Sequence, residues 1–177
     1  MNPEDIPEMK IIIEVSNQAE NFYGDAVKLG DHAGYAFRES RGSSTKNRHR
    51  AQMTGLENVA ESTLKISDVL DYIKKQTARS EQWRKKLLDN NDPNRPQSER
   101  QPFGERLRRY LEVDLAARRD GICSDKRLNV GNKTDAERQL RRRIHLLLIR
   151  QFIRQMVVQY EYRITLGEEG TSNGASG

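Results

Sequence analysis

Between Ile12 and Ala36 the apolar residues Ile12, Val15, Ala19, Phe22, Ala26, Leu29, Ala33 and Ala36 succeed one another at steps of three and four. Such steps hold side chains on one face of an α-helix, whereas a strand, with its period of two, scatters them over both faces. The spacing predicts a long helix over residues 8–39 and outweighs the strand preference of the β-branched run Ile11-Ile12-Ile13. Gly30 and Gly34 stand four apart beside Ala26 and Ala33, which flattens one face of that helix. A flat face either packs closely on a neighbouring helix or marks a break near Gly30.

The remaining chain reads the same way. Met53, Leu56, Val59, Ala60, Leu64, Ile66, Leu70, Ile73 and later Leu87 predict a second helical region over about 50–89, with a kink or a short break in the polar stretch Lys74–Gln82. Trp83, just beyond that stretch, fits a core filler and a partner anchor equally well. Residues 89–102, with three prolines among Asn and Asp, read as an exposed linker. Phe103, Leu107, Tyr110, Leu111 and Leu115 predict a helix over 102–119 that Asp120-Gly121 stops. Thr134-x-x-Glu137 has the spacing of a capping box, in which each residue satisfies the other's backbone N–H, and opens a final helix to about Tyr162. The expected fold is all-α: an elongated bundle of four to five helices in a single domain over 1–165, then a disordered tail at 166–177.

Composition bounds what such a bundle does. Only 34% of the 177 residues are apolar and 32% are charged, so the core is thin, as in a subunit that completes its burial against partners. No run approaches the roughly 18–20 apolar residues a bilayer span needs. The opening MNPEDIPEMK lacks the basic-then-apolar layout of a signal peptide. The lone Cys123 forms no intramolecular disulfide and suits a reducing compartment, so a cytoplasmic protein is expected. Catalytic signatures are missing: GSSTK at 42–46 lacks the second glycine of a P-loop, and there is no H-E-x-x-H, C-x-x-C or G-x-S-x-G. His32, His49 and His145 fall on three separate segments. A lone histidine in an apolar helix, such as His145, is more often a satisfied core residue than a ligand. No catalytic residue, metal site or cofactor is expected.

The basic residues are more informative, since Lys and Arg exceed Asp and Glu by 31 to 26. The segment from Arg138 to Arg154 holds six arginines and no acid. At about 100° per residue, Arg143, Arg150 and Arg154 fall in a stripe roughly 40° wide on a helix that is otherwise apolar nearly all round. The steps along the axis are about 10.5 Å and 6 Å, close to small multiples of a nucleic-acid phosphate repeat. Guanidinium holds phosphate oxygens in a two-pronged geometry, so the stripe suits a polyanion; pairing with Glu14, Asp25 or similar acids across the bundle is the competing arrangement. Between Arg38 and Arg50 a second basic feature sets Arg38, Arg41, Lys46, Arg48 and Arg50 against one acid, Glu39. Read as a Gly/Ser/Thr/Asn loop, it suits contact with a phosphate backbone without base readout. These eight residues are the candidate nucleic-acid-binding set.

The segment AVKLGDHAGYAFRES, with its Leu-Gly and Ala-Gly-x-Ala-Phe pattern before a basic loop, resembles the C-terminal helical region of the large subunits of Cascade-type CRISPR effector complexes. The closing IHLLLIRQFIRQMVVQYEY is similar in style to the last helix of that region, and the chain resembles the small subunits of such complexes in size, helicity and charge. The resemblance implies a non-catalytic subunit present in several copies beside other subunits. Its role would be to hold a displaced DNA strand or brace an RNA–DNA guide–target duplex through sequence-independent backbone contacts. Two other readings compete: a helical adaptor or scaffold with no nucleic-acid role, and a helical DNA-binding regulator. The regulator is disfavoured because the most basic helix is too apolar to lie freely in a groove.

Overall fold

A computed structural model of the chain describes residues 5–38, 46–87 and 100–172, with side chains excluded at 46–49 and 167–172. Every regular element among the described residues is helical, as the periodicities predict. Helix α1 spans Glu8–Ala36, α2 Lys46–Ser62 and α3 Ile66–Arg79, followed by a 3₁₀ turn at Gln82–Arg84. A continuous rod then runs through α4 (Phe103–Arg109), a π-helical turn (Tyr110–Asp114) and α5 (Leu115–Ile122). Helix α6 spans Asp135–Ser172.

Helices α1 and α6 run parallel, because contacts advance along both chains together. Glu8 meets Arg143, the Ala19 carbonyl accepts from Gln155, and Asp31 accepts from Gln159 and Arg163. Two parallel helices in one chain need a return path, and the intervening helices provide it. Helix α2 lies antiparallel to α6, with Arg50 near Glu161 and the Ala60 carbonyl at Arg150. The α4–α5 rod runs antiparallel to α1, placing Arg106 at His32, Tyr110 at Asp25 and Arg118 at Gln18.

The flat face of α1 is a packing face. A Cβ on Gly30 would stand 2.6 Å from the Gln159 Cβ and 2.7 Å from the Met156 carbonyl oxygen, and one on Gly34 would stand 2.9 Å from the Arg163 Cβ. The helix is unbroken there. The expected apolar stripe is buried from Val15 onward, while Ile12 is exposed and Ile11 takes the core position. Ile11 lies four residues before Val15, so the stripe begins one residue earlier than the three–four alternation places it. Helix α1 ends at Phe37, whose ring turns inward to meet Trp83, Phe103 and Tyr160 edge-on.

Other boundaries move for identifiable reasons. The second region divides at Thr63–Lys65, where Thr63 Oγ1 accepts from the Lys65 N–H and donates to Asp68, a local turn that competes with the helix. Leu64 at that turn is therefore exposed, not core. Lys74–Arg79 remain helical, and the interruption expected in the polar stretch is a short break at Ser80. Trp83 is a core filler: it is fully buried and donates to Gln52 Oε1 at 2.9 Å. The rod passes Asp120-Gly121 and ends at Ile122, with Cys123 buried beside it. Its core residues Leu107, Leu111 and Leu115 recur every four residues, which in an ideal helix would rotate their face by about 80° over two steps. The widened π turn at Tyr110–Asp114 takes back part of that rotation.

The Thr134–Glu137 capping box forms as its spacing requires. Glu137 accepts from the Thr134 and Lys133 N–H groups at 2.8 and 2.7 Å, and Thr134 Oγ1 accepts from the Glu137 N–H. Those backbone bonds hold the Glu137 carboxyl below its ordinary range. Helix α6 continues past the expected end near Tyr162. The expected linker falls mostly at 88–99 and the end of the expected tail at 173–177, both outside the described residues.

The glycine contact predicts opposite outcomes for two alanine substitutions in one helix. Gly30→Ala forces α1 away from the α6 backbone and lowers stability by about 1–3 kcal/mol despite the better helix former. A Cβ on exposed Gly24 meets nothing within 4 Å, so Gly24→Ala raises stability by about 0.5–1 kcal/mol. Urea unfolding of the two variants beside the parent measures both signs.

Candidate nucleic-acid interface

One residue of the first basic feature expected from the sequence, Arg50, meets the helix that carries the second. The segment Arg38–Arg50 is not a loop throughout, because α2 begins at Lys46 and carries Lys46, Arg48 and Arg50 on its first turns. Arg38 is exposed just beyond α1. Arg41 and the side chains of Lys46 and Arg48 lie outside the described residues. Arg50, half-exposed, has its Nε 3.6 Å from a Glu161 carboxylate oxygen on α6. Antiparallel packing of α2 on α6 thus sets Arg50 at Glu161, Arg154 at Glu61 and Arg150 at the Ala60 and Thr63 carbonyls.

The three arginines of the α6 stripe are held in three different ways. Arg143 pairs with Glu8 at 2.5 Å, and its side chain stays 54% exposed. Arg154 pairs with Glu61 at 2.6 Å and is 51% exposed. Arg150 meets no carboxylate among the described residues; its Nε and Nη2 donate to the Ala60 and Thr63 carbonyls at 2.9 Å each. These belong to the last turn of α2 and the residue after it, carbonyls that a helix leaves without internal partners. Arg150 is therefore a structural cap that keeps its full charge. The acids chosen are Glu8, Glu61 and Glu161; Glu14 pairs with Arg127 and Asp25 with Arg118. Three further arginines of the segment divide likewise. Arg138 bonds Asp135 and the Lys133 carbonyl, Arg141 bonds Asp120 and the Val130 carbonyl, and Arg142 is exposed with no partner among the described residues.

Two buried histidines are built on one plan. His32 donates from Nε2 to the Lys85 carbonyl at 3.0 Å while its Nδ1 accepts from Arg106 at 3.3 Å. His145 donates from Nε2 to the Leu111 carbonyl, inside the π turn, at 2.8 Å, and its Nδ1 faces Arg119 at 3.5 Å. A neutral ring with its proton on Nε2 satisfies all four contacts, since an arginine can only donate. Burial pushes His32 down to about 4, with the Arg106 charge adding to it. Burial likewise lowers His145, with Arg119 adding. Both rings are core fasteners that tie α1 and α6 to the α4–α5 rod, which answers the question His145 posed in the sequence. Burial raises the Cys123 thiol above its ordinary range, as befits an inert core thiol.

A third basic group stands at Arg79, Arg84, Lys85 and Lys86, adjoining Arg38. In the sequence it is a basic cluster near Trp83 with no role assigned; only the fold brings it beside the end of α1. No group of His, Cys, Asp and Glu among the described residues is arranged to hold a metal ion, and no described helix is long and apolar enough to cross a membrane. Comparison with protein-family models, curated proteins and solved structures gives no match for this chain.

Two predictions follow from these partners. Arg150→Ala leaves two carbonyls unsatisfied and lowers stability by about 1–3 kcal/mol, whereas Arg143→Ala and Arg154→Ala each cost under about 1 kcal/mol because exposed pairs contribute little; thermal melts rank the three. Both histidines bind fewer protons folded than unfolded; the contribution of His32 is complete above its unfolded value near 6.5 and is lost as the pH falls toward 4. From His32 alone that loss is about 3 kcal/mol. Gln at position 32 keeps a donor and an acceptor without titrating, so His32→Gln flattens the dependence of urea stability on pH over that interval.

Proposed function

We propose that this chain is a non-catalytic, nucleic-acid-binding subunit of a multisubunit RNA-guided effector of the CRISPR type. It holds a displaced DNA strand or a guide–target duplex by its backbone, beside other subunits and further copies of itself. The observation that carries the reading is Arg150. Its carbonyl partners fix the guanidinium without neutralising it, at the middle of a row whose outer members, Arg143 and Arg154, are about half exposed. Surface ion pairs such as Arg143–Glu8 and Arg154–Glu61 contribute only about 0–1 kcal/mol, so a phosphate oxygen competes for these guanidiniums at little cost. A row of this kind supports contact with phosphates rather than with base edges. The helical fold and the resemblance of the Ala26–Ser40 segment and the closing helix to Cascade subunits agree with it.

A helical adaptor without nucleic acid is the second reading. It is favoured by the acids that meet Arg50, Arg143 and Arg154 inside the chain, and by Val158, Tyr162 and Leu166, exposed at steps of four on α6. Affinity purification from native cells separates the two. Recovery with a large ribonucleoprotein, released by nuclease or high salt, is the expected result. Recovery with protein partners alone, insensitive to nuclease, contradicts it.

A further inference from the structure

We propose a second phosphate-backbone site, formed by Arg38, Arg79, Arg84, Lys85 and Lys86 where the end of α1 meets the 3₁₀ turn. This inference rests on the nucleic-acid reading above and deepens it, assigning a greater share of backbone contact to this corner than to the α6 row.

The first ground is charge compensation. All five cations are exposed, and Glu81 is the sole carboxylate in the segment 79–87. Arg38, Arg79 and Lys86 have no partner among the described residues. Arg84 donates to the Thr77 and Ala78 carbonyls at 2.9 and 3.0 Å, and the Lys85 ammonium stands 5.6 Å from the centre of the Tyr35 ring. Carbonyls and a ring orient a cation but leave its charge intact, whereas Glu8 and Glu61 neutralise Arg143 and Arg154. An approaching phosphate must displace an acid at Arg143 and at Arg154, and displaces none among the described residues here.

The second ground is rigidity. Arg84, Lys85 and Lys86 sit on or directly after a short turn whose centre, Trp83, is fully buried against Phe37, Tyr72 and Phe103 and is bonded to Gln52. The Lys85 carbonyl accepts from both His32 Nε2 and the Phe103 N–H, at 3.0 and 3.1 Å. A backbone pinned from α1 and α4 presents its charges already ordered, which lowers the entropy lost on binding. Along α6 the corner lies level with Tyr160, on which Phe37 packs; Arg154 is six residues, about 9 Å, and Arg143 seventeen residues, about 25 Å, back from it.

The test compares Lys85→Ala/Lys86→Ala with Arg143→Ala/Arg154→Ala by fluorescence anisotropy on a labelled single-stranded oligonucleotide of mixed sequence, over a series of salt concentrations. Arg38→Ala/Lys86→Ala serves as an independent corner variant that leaves the Tyr35 contact untouched, and circular dichroism melts confirm that each protein is folded. Loss of two contacts to a single strand should make the salt slope shallower by about 1.4. The expected result is that each corner variant binds several-fold more weakly with such a shallower slope, while the α6 variant changes less. Unchanged binding in the corner variants beside a loss in the α6 variant overturns this inference and leaves the nucleic-acid reading standing. Failure of the unaltered protein to bind at all overturns both.

Discussion

The close parallel contact of α1 with α6 at Gly30 and Gly34 organises the molecule. No side chain intervenes at these positions, so the α1 backbone rests against Met156, Gln159 and Arg163, a separation that even one methyl group would disturb. Parallel neighbours cannot be joined by a short loop, and the returning segments α2 and α4–α5 are forced into antiparallel positions against the pair. With 34% apolar residues, the chain builds its core around this contact from few large side chains, notably Phe22, Phe152, Tyr160 and Trp83. Phe22 and Phe152 meet edge-on across it, and Tyr110 stacks on Phe152 from the rod.

Polar fasteners set the register of the outer helices. Asp31 illustrates the balance: burial acts to raise its carboxyl, but bonds from Arg163 and Gln159 outweigh burial and hold it below the usual range. Burial also raises the Tyr110 hydroxyl, with its bond to Asp25 adding, so that group remains a donor. The neutral histidines and the Arg150 cap work in the same manner, each satisfying carbonyls that helix ends or the π turn present. The charges of Arg143 and Arg154 are thus met by acids within the fold, whereas Arg150 and the Arg38–Lys86 corner meet no carboxylate among the described residues.

Much of this was legible from local pattern. The α1 stripe, the Gly30/Gly34 face and the capping box depend on residues within a few positions of one another, and helix geometry alone converts them into structure. What required the fold was of longer range. Nothing local says that Arg150 caps the end of α2, ninety residues earlier, or that Glu8 and Glu61 are the acids that reach Arg143 and Arg154. The start of α2 at Lys46 was hidden by the Gly/Ser/Thr residues ahead of it, and the placement of the Arg84–Lys86 group beside the end of α1 by its position between a polar stretch and a Pro-rich segment. Leu64 and Ile12 show the converse: apolar residues in plausible phase that a turn and a helix start leave exposed.

Under the proposed function, this helical body grips nucleic acid through phosphates and reads no bases. The most direct measurement of this is the affinity of the unaltered protein for several unrelated single-stranded sequences of equal length, each titrated across a range of salt. The account predicts superimposable, linear plots of log affinity against log salt with a steep negative slope, because counterion release is common to all sequences. Affinity that separates by sequence, or that does not change with salt, would contradict it.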